Sequence, residues 1–356
     1  GLVGDLTDID RSPIPVITRG DLRRNVPVWE NDKYISPCQD ACPSGIPVQE
    51  RWRMVREGRI DEAVDMALAY TPFPATVCGY LCPNICMQSC TKQSAFMAPV
   101  DITGLGKASV DAHMPDLPDL NGKRVAVIGG GPAGISIAWQ LRLKGLEAVV
   151  YDDANVLGGK IAAVIPGSRI PKEVVEKELA RVQEVIPHVH LQQKLTTGDM
   201  DALAVDFDMV VIAAGAQKPR MLDIPGKERL LTALEFLGAA KKGTQRVGKR
   251  VVVIGAGNVG CDVATEAGRL GAEELTLLDV QEPASFGKER EDAEAAGAVF
   301  RWPVFTKEIT ADGIVLEGGE LIPADTVVIS IGDVPDLSFI PEDVAVERGH
   351  VKVDTH

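Results

Sequence analysis

Residues 123–153 read KRVAVIGGGPAGISIAWQLRLKGLEAVVYDD, and this stretch decides the fold. An apolar strand runs into a Gly-x-Gly-x-x-Gly turn, which opens a helix that leads to a second strand. In such a turn the first glycine permits a tight bend, the second lets a pyrophosphate approach the backbone, and the third lets helix and strand pack closely. The second strand ends at Asp152, the expected place for a carboxylate that binds a ribose hydroxyl. The candidate dinucleotide contacts here are Gly129, Gly131, Pro132, Ala133, Gly134 and Asp152.

The same unit recurs at residues 249–280 as KRVVVIGAGNVGCDVATEAGRLGAEELTLLDV. Further buried strands, DFDMVVIAAGA at 206–216 and ADTVVISIGDVP at 324–335, follow the two copies. Two copies, each complete with strand, helix and terminal acid, predict an α/β chain with two nested Rossmann-type dinucleotide-binding domains. The candidate contacts of the second copy are Gly255, Gly257, Asn258, Val259, Gly260 and Asp279.

Asp279 also bears on the choice of nicotinamide nucleotide. A carboxylate that accepts a hydrogen bond from a ribose 2'-hydroxyl repels a 2'-phosphate, and the residues that follow, Val-Gln-Glu-Pro, offer no cation. NAD(H) is therefore favoured over NADP(H). Lys288 and Arg290 lie a few residues on and are interpreted as solvated charges of a helix, although a loop that brought them back would favour NADP(H).

Six of the seven cysteines lie between residues 38 and 90 and are candidate metal ligands. Short, regular thiol spacing in a reducing compartment selects zinc or an iron–sulfur cluster, and spacing alone does not separate the two. A proline after two of these cysteines, as in bacterial cluster-binding runs, and a neighbouring flavin domain favour iron–sulfur. The six are Cys38, Cys42, Cys78, Cys82, Cys86 and Cys90, and Cys261 is interpreted as a core thiol.

Composition excludes several classes of protein. The chain has 356 residues, a formal net charge of −14 and 45% apolar residues, so it is a globular protein whose acidic surface repels nucleic acid and anionic membranes. The sequence shows neither an apolar run long enough to span a bilayer nor a signal peptide, which predicts a cytoplasmic location. Neither nucleic acid nor membrane is expected as a partner.

With these motifs in place, the chain resembles the FAD-dependent NAD(P)H oxidoreductases typified by the small subunit of glutamate synthase, whose N-terminal iron–sulfur module is shared with dihydropyrimidine dehydrogenase. The resemblance rests on CQDACPSGIPV (38–48), on the segment 57–90, on both glycine fingerprints, on LGGKIAAVIPGSRIPKEVV (157–175) and on AAGAQKPRMLDIPG (213–226). Within the family, LLDVQEPASFGKE (277–289) is similar to the NADH-dependent members that serve reverse dissimilatory sulfite reductase.

The resemblance implies that the first fingerprint holds FAD and the second holds NAD(P)H. It adds a further set of FAD contacts to those of the first fingerprint: Gly158, Gly159, Lys160, Ala214 and Gly215. No cysteine pair follows Gly159, so a thiol relay on the flavin is not supported. No catalytic acid or base is expected, because hydride and electron transfer require only placement of the cofactors.

The sequence departs from the family pattern in three places, which bear on the number of clusters, the choice of nucleotide and the end of the FAD domain. Members with two 4Fe–4S clusters carry an additional cysteine pair before Cys38, which WENDKYISP (29–37) lacks. The glutamine or acidic ligand that some relatives supply after the last cysteine falls near Gly106 and Lys107, neither of which is a plausible metal ligand. One cluster is therefore expected, on Cys42, Cys82 and Cys86 with a fourth thiolate from Cys38, Cys78 or Cys90. The second departure is that the arginines that NADPH-using members carry after the second strand are replaced by DVQEP. The third is that HVKVDTH (350–356) ends before the family's closing flavin segment.

The predicted organisation has five parts. They are an N-terminal arm (1–35), a helical iron–sulfur domain (36–112), the first part of the FAD domain (121–217), the NAD(H) domain (218–333) and an apparently truncated return to the FAD domain (334–356).

The predicted function is electron transfer between NADH, FAD and a cluster, to or from a partner redox protein or a larger catalytic subunit, with a homodimer as a further expectation. The rival interpretation is a non-catalytic electron conduit or scaffold. A reductase of small molecules without a protein partner is disfavoured, since it leaves the cysteine-rich module without a task.

Overall fold

The structure is a computed structural model that describes residues 35–353. The chain divides into two compact units, the first ending at Pro115 and the second beginning at Asp116. The predicted arm, residues 1–35, lies outside the described residues except for Ile35. No helix among the described residues combines the length and the apolar composition needed to cross a lipid bilayer.

The described part of the first unit is helical. Its elements are α1 (Pro37–Asp40), α2 (Val48–Arg56), α3 (Ile60–Asp65), 3₁₀ turns at Met66–Ala69, Thr91–Ala95 and Ser109–Asp111, a π-helical turn at Ala75–Leu81, α4 (Ile85–Gln88) and α5 (Thr103–Ala108). Gly58, with φ +77°, separates α2 from α3. The core of the unit lies between the π-helical turn, α3 and α5, where Ala63, Ala67, Phe73, Ala75 and Leu105 are buried.

Some apolar residues of α2 and α3 lie outside the core, although Ala63 and Val64 of α3 are buried. Trp52 and Val55 are half-buried and Ile60 is 54% exposed, whereas Arg51 is completely buried. The residues of α2 that face the core are Val48, Arg51 and Met54, which repeat at three-residue intervals. An arginine therefore occupies a core position of this helix.

The second unit begins with a parallel four-stranded sheet in the order β3-β2-β1-β4. Its strands are β1 (Arg124–Ile128), β2 (Glu147–Tyr151), β3 (Val189–His190) and β4 (Met209–Ile212), and its helices are α6 (Pro132–Leu143), α7 (Gly159–Ala163), α8 (Lys172–Val185) and α9 (Thr197–Asp206). The β1 strand is central and buried from Val125 to Ile128, as a strand covered by helices on both faces must be.

A second parallel sheet repeats the pattern. Its strands are β6 (Leu231–Thr232), β7 (Arg250–Ile254), β8 (Glu274–Leu278), β9 (Ala298–Arg301) and β13 (Thr326–Ile329), and the helices among them are α10 (Ala233–Lys241), α11 (Asn258–Arg269) and α12 (Gly287–Ala295). The other strands of this part of the chain are β5 (Lys218–Pro219), β10 (Thr306–Ile309), β11 (Gly313–Leu316), β12 (Leu321–Pro323) and β14 (Asp333–Val334). The sheet has the order β6-β13-β7-β8-β9, and β10, β11 and β12 form a separate antiparallel sheet. Cys261 is fully buried in its core, as predicted.

The chain passes between the two parallel sheets along one short ribbon. The β5 strand leads out of the first sheet and β14 leads back, and the two pair antiparallel through Lys218 and Val334. Two further short strands, β15 (Val346–Glu347) and β16 (His350–Val351), pair near the end of the described residues. The predicted α/β fold with two nested dinucleotide-binding domains after a small helical unit is confirmed.

A buried ionic cluster links the two halves of the second unit. Arg169, in the loop before α8, donates to Asp262 of α11 and to Glu289 of α12 at 2.9 Å each. The Arg169 side chain is 9% exposed, and its neighbour Ser168 donates to Glu266 at 2.6 Å. Burial raises the pKa of Asp262 to about 6, against the opposing effect of Arg169. We call this group the Arg169 bridge.

Candidate functional site

The glycines of the first fingerprint have different surroundings. A Cβ atom on Gly129, whose φ is +113°, would lie 2.3 Å from the Ala213 oxygen, and one on Gly134 would lie 1.8 Å from the Gly129 oxygen. The nearest atom to a Cβ on Gly131 would be the Gly159 Cα at 3.9 Å. The outer two glycines therefore satisfy the packing of the fold, and the middle one leaves open the space that a pyrophosphate needs at the N-terminus of α6.

The other residues predicted to contact FAD surround this turn. Pro132 and Ala133 are exposed in the first turn of α6. The Gly158 amide donates to the Gly130 oxygen at 2.8 Å, and a Cβ on Gly159 would lie 2.9 Å from the Gly131 Cα. The loop that carries Lys160 is thereby held against the fingerprint.

Asp152 lies at the mouth of the first site. Its carboxylate accepts hydrogen bonds from the amides of Gly130 and Ala154. It lines a cavity of about 150 Å³ together with Gly129, Tyr151, Gln193, Leu195, Ala214, Gln217, Lys218 and Phe339. Gly215 follows Ala214 with φ +69°, and Lys160 pairs with Asp333 at 2.7 Å. The Asp152 carboxylate, the apolar side chains of Leu195 and Phe339 and the backbone of Gly129 together suit the adenosine half of a dinucleotide.

The second fingerprint has the same construction. A Cβ on Gly255 would lie 2.2 Å from the Ser330 oxygen, and one on Gly260 would lie 2.1 Å from the Gly255 oxygen. A Cβ on Gly257 would meet no atom within 4 Å. Val259 is 48% exposed, whereas the Asn258 side chain accepts from the Phe286 amide at 2.9 Å and so fastens the loop before α12.

The cavity beside this fingerprint is acidic. Asp279 accepts from the Ala256 amide at 2.9 Å and from the Gln281 amide at 3.2 Å. The cavity has a volume of about 340 Å³ and is lined by Leu222, Ile254, Gly255, Gly257, Leu278, Asp279, Val280, Val304, Phe305, Thr306, Glu317, Ser330 and Ile331. Among these lining residues two are carboxylates and none is basic, which disfavours a bound 2'-phosphate.

Lys288 and Arg290 have partners on their own helix. Lys288 contacts both carboxylate oxygens of Asp292 at 2.7 Å, and Arg290 bonds to Glu294 at 2.8 Å while its guanidinium lies 4.5 Å from the centre of the Phe300 ring. Both pairs have the i, i+4 spacing of helix-surface ion pairs. This arrangement supports the interpretation of the two cations as helix charges.

The six cysteines of the first unit are free and half-buried. Burial, against the opposing effect of Arg51 and with the help of Cys82, Cys42 and Cys86, raises the pKa of Cys78 to about 12. Burial together with Cys82, Cys42 and Cys38 raises the pKa of Cys86 to about 11. A thiol with such a pKa is a thiolate at neutral pH only when a metal takes the place of the proton. The donor set therefore suits an iron–sulfur cluster.

The remaining two cysteines of the unit border a cavity. Cys38 and Cys90, with Cys86, line a space of about 360 Å³ that also contacts Ser36, Trp52, Arg56 and Lys92. Over residues 35–353, no three cysteine, histidine or carboxylate side chains converge as the ligands of a single metal ion would. A 4Fe–4S cluster instead takes one thiolate at each of its four irons.

Gly106 fixes the position of Cys78. A Cβ on Gly106 would lie 2.6 Å from the Cys78 carbonyl carbon and 2.9 Å from the Cys78 Cβ, and a Cβ on Gly79 would lie 2.9 Å from the Lys107 nitrogen. The π-helical turn and α5 therefore meet backbone to backbone. Gly106, near which the resemblance places a cluster ligand of some family members, is in this chain the glycine that lets Cys78 approach.

We expect Gly106→Ala to lower the iron content of the purified protein several-fold, because the added methyl group must push Cys78 away from its place. Gly104→Ala is the matched control on the same helix, since a Cβ there meets no atom within 4 Å. Iron and acid-labile sulfide are measured per chain for both variants. Full iron content in Gly106→Ala would show that the close contact is not needed for the site.

Arg51 is the residue of this region that the sequence interpretation missed. Its side chain is completely buried and donates to the Ala63 oxygen at 2.6 Å and to the Ser109 hydroxyl at 2.8 Å. The signal in the sequence is the spacing Val48, Arg51, Met54, which places an arginine in line with two apolar core residues of one helix.

Comparison with known families identifies both parts of the chain. Residues 123–356 match the family described as pyridine nucleotide-disulphide oxidoreductase, and residues 33–116 match dihydropyrimidine dehydrogenase domain II, 4Fe-4S cluster. The first match implies FAD and NAD(P), and the second implies a 4Fe–4S cluster.

Curated relatives agree with these matches. The NADPH-Fe(3+) oxidoreductase subunit beta of Geobacter sulfurreducens is 29% identical over 89% of this chain and 53% of its own length. The glutamate synthase [NADPH] small chain of Azospirillum brasilense is 28% identical over 89% of this chain and 77% of its own length. The chain thus spans about half of the first relative.

A solved structure shares the fold. A 2-naphthoyl-CoA reductase complex superposes with a TM-score of 0.56 at 21% identity, over 85% of this chain and 44% of the other. At this identity the likeness concerns the fold alone.

Proposed function

Because the chain belongs to the pyridine nucleotide-disulphide oxidoreductase family, we propose that it passes electrons between NADH, FAD and a 4Fe–4S cluster, to or from a partner protein. The predicted resemblance to iron–sulfur flavoproteins of the glutamate synthase small-chain type is confirmed. The observation that carries the proposal is the pair of fingerprints, each with an open middle glycine and a terminal carboxylate, in one chain with grouped thiols.

Bound FAD and cluster supply hydride acceptance and one-electron transfer. The proposed role of the protein is placement. Gly131 and the N-terminus of α6 would hold the FAD pyrophosphate and Asp152 its ribose, while Gly257, α11 and Asp279 would do the same for the nicotinamide nucleotide. No side-chain acid or base is assigned a role in the chemistry.

We assign one cluster to Cys42, Cys78, Cys82 and Cys86. The electrostatic interactions of Cys78 with the other three thiols and its close packing on Gly106 support the choice of Cys78 as the fourth ligand. Cys38 and Cys90 are then spare thiols beside the 360 Å³ cavity.

The proposed partner is a protein subunit that exchanges single electrons with the cluster. The relatives support this, since one is a subunit beta and the other a small chain. We place the exchange in the cytoplasm, where thiols stay reduced. The homodimer and the likeness to members that serve reverse dissimilatory sulfite reductase stay predictions.

Anaerobic titration tests the proposed function. Addition of NADH should bleach the flavin absorption first and the broad iron–sulfur band afterwards. If neither NADH nor NADPH bleached the flavin, the proposal would be overturned. A protein whose absorption spectrum shows a cluster without flavin would support the non-catalytic conduit instead.

NADH is proposed as the preferred nucleotide, in contrast to the NADPH in the names of both relatives. Asp279 and Glu317 line the cavity, and the nearby cations are paired along α12. We expect wild-type kcat/KM to be higher for NADH than for NADPH.

Asp279→Ala should lower the ratio of kcat/KM for NADH to kcat/KM for NADPH roughly ten- to hundredfold. The substitution removes the charge-assisted hydrogen bond between the carboxylate and the ribose 2'-hydroxyl, which contributes about 1.5–3 kcal/mol. The values of kcat/KM for both nucleotides provide the measurement, and Lys288→Ala is the control that should leave the ratio unchanged. A wild-type preference for NADPH would mean that Lys288 and Arg290 reach the phosphate.

A further inference from the structure

Arg51 is an unusual charge in the first unit. The guanidinium is completely excluded from solvent, and within residues 35–353 its two hydrogen-bond partners are neutral oxygens, the Ala63 carbonyl and the Ser109 hydroxyl. Its Nη1 atom is buried without a hydrogen-bond partner among the described residues. Arginine is almost never fully buried unless it is paired with an opposite charge. The described side chains supply no such carboxylate.

The other arginines of this region behave differently. Arg53, two residues along the same helix, is exposed and pairs with Glu50 and Glu57, and Arg59 pairs with Glu57 and Glu62. The absence of a carboxylate beside Arg51 is therefore not a general property of this acidic chain.

Among the described residues, Cys78 is the side chain that interacts electrostatically with Arg51, and it carries a negative charge when it ligates a metal. Burial lowers the pKa of Arg51, and the Cys78 thiolate is the neighbouring charge that opposes this effect. Within residues 35–353, the compensation for the buried cation thus comes from the Cys78 side of the thiol group and not from a carboxylate.

Residues 105–109 contact both Arg51 and Cys78. Ser109, itself fully buried, donates to the Leu105 oxygen at 2.9 Å, which leaves its hydroxyl oxygen to accept from Arg51. Gly106, between Leu105 and Ser109, packs on the backbone of Cys78. The end of α5 therefore fixes the guanidinium and the thiol in relation to each other.

We propose that Arg51 is the internal counter-cation of the cluster, next to its ligand Cys78, and that it raises the reduction potential of the cluster. This inference rests on the cluster ligands assigned under the proposed function. A cluster with four thiolate ligands is negatively charged, and each reduction adds one electron and no proton, so a fixed neighbouring cation favours the reduced form. The free Nη1 donor adds to this effect if it bonds to sulfur, because hydrogen bonds to cluster sulfurs also set the potential.

The test is an anaerobic redox titration of the full chain, with the reduced cluster followed by electron paramagnetic resonance. Arg51→Gln should lower the ratio of reduced to oxidised cluster at least tenfold at a fixed potential, which is a shift of about 59 mV for a one-electron couple. Arg53→Gln is the matched control, since it removes the same charge from the exposed side of the same helix. It should leave the ratio within about twofold of wild type, because exposed charges are screened.

Arg51→Lys keeps the charge and tests whether charge or shape matters. A cluster that stays near its wild-type ratio in Arg51→Lys supports the inference, and a tenfold fall there overturns it. If Arg51→Gln loads no iron, Arg51→Lys decides the question on these same terms.

Iron content and flavin bleaching by NADH are measured on the same preparations. A wild-type protein without iron would overturn the proposed function. A wild-type protein that holds its cluster, together with an Arg51→Gln variant of unchanged potential, would overturn the role of Arg51 alone.

Discussion

Replacement of Cys42, Cys82 or Cys86 by serine is expected to remove the cluster and abolish the exit of electrons, while reduction of the flavin by NADH continues. A serine hydroxyl is a poor ligand for iron compared with a thiolate. The flavin site lies in a separate compact unit with its own core, so loss of the cluster should not unfold it. Wild-type protein purified anaerobically should contain about four irons and as much acid-labile sulfide per chain.

The measurements are iron, sulfide and zinc per chain, followed by NADH titration of each variant. Cys261→Ser is the control, because that thiol is buried in the core of the second parallel sheet. Variants of Cys38 and Cys90 should keep their iron. Loss of the cluster from these two, with retention in the Cys42, Cys82 and Cys86 variants, would invert the assignment. Zinc in place of iron would remove the electron path altogether.

Gly257→Val should weaken NADH binding by on the order of a hundredfold or more while the fold and the bound FAD are retained. No protein atom lies within 4 Å of a Cβ at this position, so the new side chain occupies space that only the nucleotide needs. A valine side chain there blocks the close approach of the pyrophosphate to the backbone, and each loss of about 1.4 kcal/mol in binding free energy raises Kd tenfold. The Kd for NADH, the flavin content and the melting temperature are measured together.

Two further glycine variants make this result interpretable. Gly260→Ala places a methyl group 2.1 Å from the Gly255 oxygen, and we expect it to lower the melting temperature. Gly318→Val, in an exposed turn with open space around it, should change neither binding nor stability. Equal NADH affinity in Gly257→Val and wild type would show that the second fingerprint does not hold the pyrophosphate.

The dinucleotide-binding architecture could be predicted because its determinants are local. Strand, glycine turn, helix and terminal acid follow one another within some thirty residues, and the packing that demands Gly129 and Gly134 involves the same short unit and one adjacent strand. The pairing of Lys160 with Asp333 could not be predicted, since 173 residues separate the partners.

The thiol site was predictable in composition but not in arrangement. Cysteine spacing placed six thiols in one unit, yet which of them meet depends on the π-helical turn at Ala75–Leu81 and its contact with α5. A π-turn changes the angle between successive side chains, and no residue pattern in this segment announces it. Arg51 was missed for a related reason, because an apolar periodicity search passes over a charge in a core position.

The Arg169 bridge has a mechanical consequence. The peptide chain crosses between the two parallel sheets of the second unit at the β5–β14 ribbon, and Arg169 joins the two halves again through side chains of α11 and α12. The two halves are therefore connected at two places, by the backbone at the β5–β14 ribbon and by side chains at the Arg169 bridge. Rotation of one half relative to the other about the ribbon would have to separate a guanidinium that is 9% exposed from two carboxylates, so the Arg169 bridge opposes such a rotation.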